Sequence, residues 1–279
     1  MATPIGNLGD MSPRAIETLR GVDHIAAEDT RHSRPLLQHF GITTSMVALH
    51  EHNEREQCQR ILGWLAAGQS VALISDAGTP LISDPGYHVV RQAREQGLAV
   101  VPVPGPSALI AALSVAGLPT DRFVFEGFLS AKGAARRSRL EALARETRTL
   151  VFYESSHRIG ACLEDLAAVL GGGREALLAR ELTKAFETVR SDTLDGLVQW
   201  VAGDADQRRG EFVVVVRGAD ETLGAEEAEQ SAEQTLGILL AEGLSVRQAA
   251  AVAARLTGGS RNRLYKRALE LAAGEGGDS

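Results

Sequence analysis

The chain has 279 residues, 44% of them apolar, and a formal net charge of −7. Its length allows two domains with sizeable cores, and its acidity argues against a general nucleic-acid binder. No apolar run reaches the length of a membrane span, and the two isolated cysteines, Cys58 and Cys162, argue against a disulfide framework and fit a reducing cytoplasm.

The N-terminus, Met1-Ala2-Thr3-Pro4, shows neither the basic region nor the apolar core of a signal peptide. Ser12-Pro13 predicts a helix start, with Ala15, Ile16 and Leu19 facing inward. Residues 24–27 read as a strand, 30–40 as a helix stopped by Gly41, and 46–49 as a second strand. Asn53 with Glu56 three residues on predicts a capped helix running to Gly68. Val71-Ala72-Leu73-Ile74 reads as a buried strand, and the long loop 75–86 follows it: Ser75-Asp76-Ala77-Gly78-Thr79-Pro80-Leu81-Ile82-Ser83-Asp84-Pro85-Gly86. Asp84-Pro85 reads as the N-cap and first position of a helix to Gly97. Residues 99–103 read as a strand, and Pro106 opens a helix over 107–117. This β-α-β-α order implies a largely parallel sheet.

Gly117-Leu118-Pro119-Thr120-Asp121 reads as a boundary, giving an N-terminal α/β lobe over 1–118. The second lobe, 119–220, carries predicted strands at 123–128, 149–153, 176–181, 187–190 and 211–216, with helices at 134–145, 158–170 and 193–202. Its later strands lie close together in sequence, so its sheet is expected to be mixed. Gly171-Gly172-Gly173 reads as a flexible turn. Residues 221–279 read as an acidic linker and a basic helical tail, with helices at 228–241, 245–256 and 260–271. The last two, joined by Leu256-Thr257-Gly258-Gly259, have the outline of a helix-turn-helix.

Three loops rich in Pro and Gly stand out: 3–9, 75–86 and 103–107. None contains Gly-Lys-Ser/Thr or Gly-x-Gly-x-x-Gly, so neither a Walker loop nor a dinucleotide fingerprint is present. Proline removes amide donors and leaves carbonyls exposed. Such loops suit a neutral or cationic nucleoside better than a polyphosphate, and S-adenosylmethionine is such a ligand. A loop between strand and helix also lies at the carboxyl edge of the sheet, where α/β proteins bind ligands.

Several motifs, taken in order, resemble a known family. They are residues 2–10, Ala27-Glu28-Asp29-Thr30-Arg31, His50-Glu51-His52-Asn53-Glu54, the loop 75–86, Pro104-Gly105-Pro106-Ser107-Ala108, Phe152-Tyr153-Glu154-Ser155-Ser156-His157-Arg158 and Ala179-Arg180-Glu181-Leu182-Thr183-Lys184. Together they are similar to the tetrapyrrole methylase superfamily, and within it to the branch that acts on bacterial small-subunit ribosomal RNA. The resemblance spans essentially the whole chain. It implies a two-lobed α/β fold with a mainly parallel N-terminal sheet, a mixed C-terminal sheet and a small helical extension. It implies S-adenosylmethionine in the cleft between the lobes, a homodimer, and 2′-O-methylation of a cytidine ribose in the decoding region of 16S rRNA within the small ribosomal subunit. It also implies an apolar strand ahead of Ala2-Thr3-Pro4, where this sequence starts at Met1.

Carried over by motif, the resemblance places cofactor contacts at Pro4, Asp76, Gly78, Thr79, Pro80, Ser107, Ala108, Tyr153, Ala179 and Arg180. For Asp76, a ligand hydrogen bond and a cap on the Ala77–Thr79 amides are both open readings. A ribose hydroxyl is a weak acid, so a nearby base or cation would help methyl transfer. The candidates are Glu28, Asp29, Arg31, His50, His52 and Glu54. Asp29 could instead cap the helix that follows it, and Arg31 could simply pair with Glu28 or Asp29. Glu154 and His157 are further cleft candidates, and Glu181 with Lys184 reads as an ion pair. No metal is expected, since His50-x-His52 has no evident third ligand. Arg136 and Arg137, and in the tail Arg247, Arg261, Arg263, Lys266 and Arg267, are the candidate RNA contacts; solvated helix faces are the alternative. Two other functions stay open: a related methylase acting on a tetrapyrrole or protein, and a non-catalytic RNA-binding factor with a vestigial cleft.

Overall fold

The computed structural model describes residues 1–50 and 53–274, and of 221–230 and 272–274 it describes the backbone alone. Residues 1–144 with 148–217 form one compact unit, and 145–147 with 218 onward a second.

The first unit contains two sheets. In the first, β1 (His24–Ala27), β2 (Ser45–Ala48) and β3 (Val71–Ile74) run parallel in the order β2-β1-β3. Side chains alternate across a strand, so a parallel strand covered on both faces is apolar at every position. Ile25 and Ala27 meet α1 (Pro13–Gly21) and α2 (Thr30–His39) through Ala15, Leu19 and Leu37. Ala26, on the opposite face, packs with α3 (Glu54–Ala66) and α4 (Tyr87–Glu95) through Cys58, Ile61, Leu62, Val89 and Ala93. Ala27 pairs with both Ala48 and Ile74, so the three strands end level. The loops after β1 and β3 therefore open side by side at the carboxyl edge.

The second sheet is mixed. Its strands are β4 (Phe123–Phe128), β5 (Thr149–Ser155), β6 (Glu175–Arg180), β7 (Thr188–Thr193) and β8 (Glu211–Val216), in the order β4-β5-β8-β6-β7. Only β4 and β5 are parallel neighbours. One face carries α5 (Ala108–Val115), with Leu109, Ala112 and Leu113 against Val151, Leu177, Ala179 and Val213. The other face carries α6 (Gly133–Leu143), α7 (Ile159–Leu170) and α8 (Leu194–Gly203) over Leu150, Phe152, Leu178 and Val214.

Three local expectations fail. The helix expected from Pro85 starts at Tyr87 behind Gly86, whose φ of 119° no other residue adopts comfortably. A Cβ there would lie 2.7 Å from a Leu73 methyl, so the chain turns tightly against β3. The run 99–103 joins no sheet. Pro102 and Pro104 cannot donate to a ladder, and Val103 instead accepts the Ala2 amide at 3.2 Å. Asn53 does not cap α3 with its side chain. It bridges backward, accepting the His50 amide at 2.9 Å and donating to the Ala48 carbonyl at 3.1 Å.

The second unit is helical: α9 (Glu221–Ala241), α10 (Val246–Thr257) and α11 (Arg261–Gly274). The stretch expected as an acidic linker is thus helical from Glu221. Leu236, Ala249, Ala250, Ala253, Leu264 and Ala268 form its core. Small alanines on α10 let its neighbours approach closely. Ser245 and Gln248 make a capping box at the start of α10, and Gly258 ends it in the left-handed region. Among the described residues no helix is long and apolar enough to cross a membrane.

Candidate functional site

The three Pro/Gly loops are tied to one another by their backbones. Thr3 and Gly78 exchange hydrogen bonds of 2.9 and 3.0 Å. The Thr3 hydroxyl donates to the Ser75 carbonyl at 3.2 Å, and the Thr79 hydroxyl to the Pro106 carbonyl at 3.0 Å. Side chains after the two adjacent strands add a second tie. The Glu28 carboxylate accepts the Asp76 amide at 3.4 Å, and the Asp76 carboxylate accepts the Asp29 amide at 3.0 Å.

Next to this junction is a cavity of about 310 Å³, a small-molecule scale. The first sheet and its loops contribute Glu28, Asp76, Ala77, Gly78 and Thr79. Ser107 and Ala108 come from the start of α5, and Ile5 from the first loop. The second sheet contributes Tyr153, Glu154, Ala179, Phe212 and Val213, followed by Glu181, Leu182 and Lys184. Tyr153 is anchored there, its hydroxyl accepting the Leu109 amide at 3.1 Å, and burial pushes its pKa up. Lys184 is held by Glu181 and Glu211, each at 2.8 Å. Burial opposes the charge on Glu181, but Lys184 and the Glu211 amide outweigh it and leave its pKa low.

Of the residues expected to touch cofactor, Asp76, Gly78, Thr79, Ser107, Ala108, Tyr153 and Ala179 line this cavity. Pro4, Pro80 and Arg180 do not. Pro80 is buried, and the Arg180 guanidinium turns away to the Arg209 carbonyl at 2.7 Å and the Phe186 carbonyl at 3.3 Å. Asp76 does not cap its own turn; its carboxylate crosses to the Asp29 amide.

Among the described base candidates, Glu28 alone lines the cavity. Asp29 caps α2 through the Arg31 amide at 2.8 Å and pairs with the Arg31 guanidinium at 3.0 Å. Those Arg31 contacts lower the Asp29 pKa to about 2. Arg31 itself stands in solvent, its side chain 89% exposed. His50 sits behind the Asn53 bridge, outside the cavity. His52 lies outside the described residues. Glu54 supports the loop instead, accepting the Gly86 and His88 amides at 3.0 and 3.1 Å. Glu154 lines the cavity, whereas His157 is exposed elsewhere.

The residue that sequence reasoning missed is Asp84. It lines the cavity, half-buried, rather than capping a helix. Burial, followed by the charges of Glu28 and Asp76, raises its pKa to about 6, against a smaller opposing hydrogen bond from Ser75.

The candidate RNA contacts divide. Arg136 is buried against Asp165 at 2.6 Å, so it cannot present its charge to a nucleic acid. Its place among clustered basic residues made it a candidate contact, but Asp165 on α7 pulls it inward. Arg137 shares Asp165 at 3.1 Å from a half-exposed position. In the second unit, Arg247, Arg261, Arg263 and Lys266 are exposed, while Arg267 is occupied by Glu233 and Glu270 at 3.0 and 2.8 Å.

The cavity fits S-adenosylmethionine by the chemistry of its lining. Ile5, Ala108, Leu182 and Phe212 offer apolar contact for a purine, and the surplus of carboxylates over the one lysine favours a ligand with a sulfonium and an ammonium.

Comparison with known proteins agrees. Residues 2–198 match the family of Tetrapyrrole (Corrin/Porphyrin) Methylases, and 225–272 match the RsmI C-terminal HTH domain. The chain is 59% identical to the ribosomal RNA small subunit methyltransferase I of Pseudomonas aeruginosa, over 97% of this chain and 95% of that one. It is 54% identical to the protein of the same name from Escherichia coli O157:H7, over 96% and 93%. The crystallised cobalt precorrin-4 methyltransferase shares the fold, with a TM-score of 0.58 at 15% identity over 76% of this chain and 90% of that one. The two-sheet first unit is therefore that of a tetrapyrrole methylase, the helical second unit carries the match to the RsmI C-terminal HTH domain, and the chain belongs to the tetrapyrrole methylase family, in its ribosomal RNA small subunit methyltransferase I branch.

Proposed function

We propose that the protein transfers the methyl group of S-adenosylmethionine to the 2′-oxygen of a cytidine ribose in the decoding region of 16S rRNA, acting as a cytoplasmic homodimer on the small ribosomal subunit. The observation that carries this reading is the cavity where three pinned loops and both sheets of the first unit meet. Relatives that carry the name of a small-subunit rRNA methyltransferase match it over nearly the full chain.

When bound, S-adenosylmethionine supplies an electrophilic methyl group on a sulfonium. The chain's own residues hold and orient. Gly78 and Thr79 with Ser107 and Ala108 would form one wall of the seat, and Tyr153 and Ala179 the other. In-line transfer needs the attacking oxygen aligned behind the methyl, so positioning supplies much of the rate. The ties Thr3–Gly78 and Thr79–Pro106 keep those walls from spreading. Gripping the RNA does not require a basic protein, because a local basic surface releases counterions from phosphates by itself. Arg247, Arg261, Arg263 and Lys266 would supply one.

The test is transfer of labelled methyl to small subunits lacking the modification, with the labelled nucleotide mapped by mass spectrometry. Label on the ribose of one cytidine is expected. Label on a base, or on no RNA at all, counts against the reading.

A further inference from the structure

Strand β4 is bulged beside the cavity. Phe125 pairs with Val151 of β5, but the next two β5 residues, Phe152 and Tyr153, pair with Gly127 and Phe128, so Glu126 is an extra residue. One extra residue moves every later side chain to the opposite face of the sheet. Without it Phe128 would share the face of Val124, under α6 and α7. With it, Leu129 takes that face and is buried there, while Phe128 joins Phe125 and Tyr153 on the cavity side. The bulge is held in place. The Arg139 guanidinium donates to both Glu126 oxygens at 2.8 Å. Gly127 has a φ of 62°, where a Cβ would be strained, and one there would also lie 3.1 Å from the Ser83 hydroxyl. On the other side, the Leu129 carbonyl accepts from Arg158, itself held by Glu154 at 3.1 Å.

Phe128 thus sits on backbone pinned at both ends. It lines the cavity and is still 55% exposed. Tyr153 covers only part of it, in an edge contact with ring centroids 5.6 Å apart at 63°. A lone exposed phenylalanine on a protein surface is ordinary. One swung toward a ligand cavity by a fixed bulge, and left open there, is a surface waiting for a flat partner.

We propose that Phe128 is the platform on which the base of the target nucleotide stacks when its ribose enters the cavity. This rests on the ribose-methylation reading above. A nucleotide drawn into a protein cavity leaves its neighbours in the RNA stack, and its base then needs a new face to lie on; aromatic side chains are the common solution. Charge sets how the nucleotide enters. Glu28, Asp76, Asp84, Glu154 and Glu181 line the cavity, and its one lysine, Lys184, is engaged by Glu181 and Glu211. Such a wall repels phosphates, so ribose and base go in while the backbone stays at the rim. The chain leaving Phe128 reaches exposed Lys132 within four residues, at the start of α6, with half-exposed Arg137 further along that helix. An aromatic face beside cations suits a single RNA strand; the purine of the cofactor has no use for the cations.

The experiment compares wild type, Phe128→Leu and Phe128→Trp. It measures methyl transfer to unmodified small subunits, S-adenosylhomocysteine binding by calorimetry, and mass in solution by light scattering. Leucine keeps the apolar bulk and removes the ring. Phe128→Leu should lose about tenfold or more in kcat/KM for subunits, mainly through KM, with S-adenosylhomocysteine affinity kept within about twofold and mass unchanged. Phe128→Trp retains a stacking face and should stay within about threefold of wild type. Its added emission, over the wild-type signal of Trp64 and Trp200, should be quenched when subunits bind in saturating S-adenosylhomocysteine. A Phe128→Leu enzyme within about twofold of wild type overturns the proposal. So does a loss of S-adenosylhomocysteine affinity that matches the loss in kcat/KM, which gives the ring to the cofactor, or a change in mass, which gives it to a second copy of this chain. If Phe128→Leu does not fold, Phe128→Trp decides: quenching by subunits supports the platform, and quenching by S-adenosylhomocysteine alone, or none, overturns it. A wild type that methylates no ribose overturns the functional reading and the platform together, whereas an active wild type with an unaffected Phe128→Leu overturns the platform alone.

Discussion

Glu28 and Asp76 hold each other's loops: the Glu28 carboxylate accepts the Asp76 amide, and the Asp76 carboxylate reaches back to the amide beside Glu28, that of Asp29. The pair joins the ends of two parallel strands at the mouth of the cavity. Neither side chain need touch a ligand to matter, because each sets where the other's backbone stands.

Asp76→Ala tests this. The Asp29 amide loses its acceptor, and an unsatisfied donor costs about 1–3 kcal/mol. Urea unfolding should register that loss, and calorimetry should show S-adenosylhomocysteine bound about tenfold more weakly or worse, in line with about 1.4 kcal/mol per decade. Unchanged affinity would show that the tie does not shape the seat.

Gly86→Ala addresses the turn behind Asp84. The substitution meets both a φ of 119° and a Leu73 methyl at 2.7 Å. Backbone strain and overpacking together predict a loss of about 2–4 kcal/mol in urea unfolding. Methyl transfer should fall further than stability alone explains, since the cavity wall to which Asp84 belongs would be displaced.

The strands and helices of the first unit were largely legible because their apolar spacing is strong, as with Ile25 and Ala27 against Ala26. What misled was local chemistry overruled at a distance. Asp84-Pro85 has a good helix-start signature, yet Glu54, remote in sequence, captures the Gly86 and His88 amides and starts α4 later. Residues 99–103 have a strand's apolarity, but prolines empty their ladder. Arg136 belongs to a basic cluster, and nothing in its spacing announces Asp165 on another helix. The site was half legible for the same reason. Loop motifs marked Asp76, Gly78 and Thr79, while Arg180 and Arg31 turned out to point elsewhere once their partners were known.

Arg136 and Arg137 share Asp165 but differ in burial, which separates their roles. Arg136→Ala takes the buried partner from the Asp165 carboxylate, leaves it the half-exposed Arg137, and should cost about 3 kcal/mol. Arg137→Ala, at a half-exposed position, should cost about 1 kcal/mol or less. Urea midpoints of the two variants measure the difference. Near-equal losses would contradict the burial argument.

The tail is tested through salt. Arg261→Glu with Lys266→Glu removes two exposed cations from α11. If they contact phosphates, the slope of log affinity against log salt for small subunits should become shallower by about 2. Methylation should slow at sub-saturating subunits while S-adenosylhomocysteine binding stays unchanged. An unaltered slope would remove these residues from the RNA surface.

Asp84 should also be a stability liability, and its sign can be worked out. Its pKa is raised from 3.8 to about 6 on folding, chiefly by burial. Between those values the unfolded chain has released its proton and the folded chain has not, so stability falls as pH rises through that window. Above it the full deficit applies; below the lower value there is none. Asparagine is neutral throughout and removes the deficit. Because the group is only half-buried, the gain at neutral pH should be about 1 kcal/mol after solvent screening, or about 2–4 °C in Tm for a chain of this size. Thermal melts of Asp84→Asn and wild type should therefore diverge at about pH 7.5 and converge near pH 4. A variant stabilised at neutral pH is the signature of a carboxylate kept in the cavity wall at the expense of the fold. Equal melts at both pH values would mean that solvent screens the charge of Asp84, and that the cavity does not tune it.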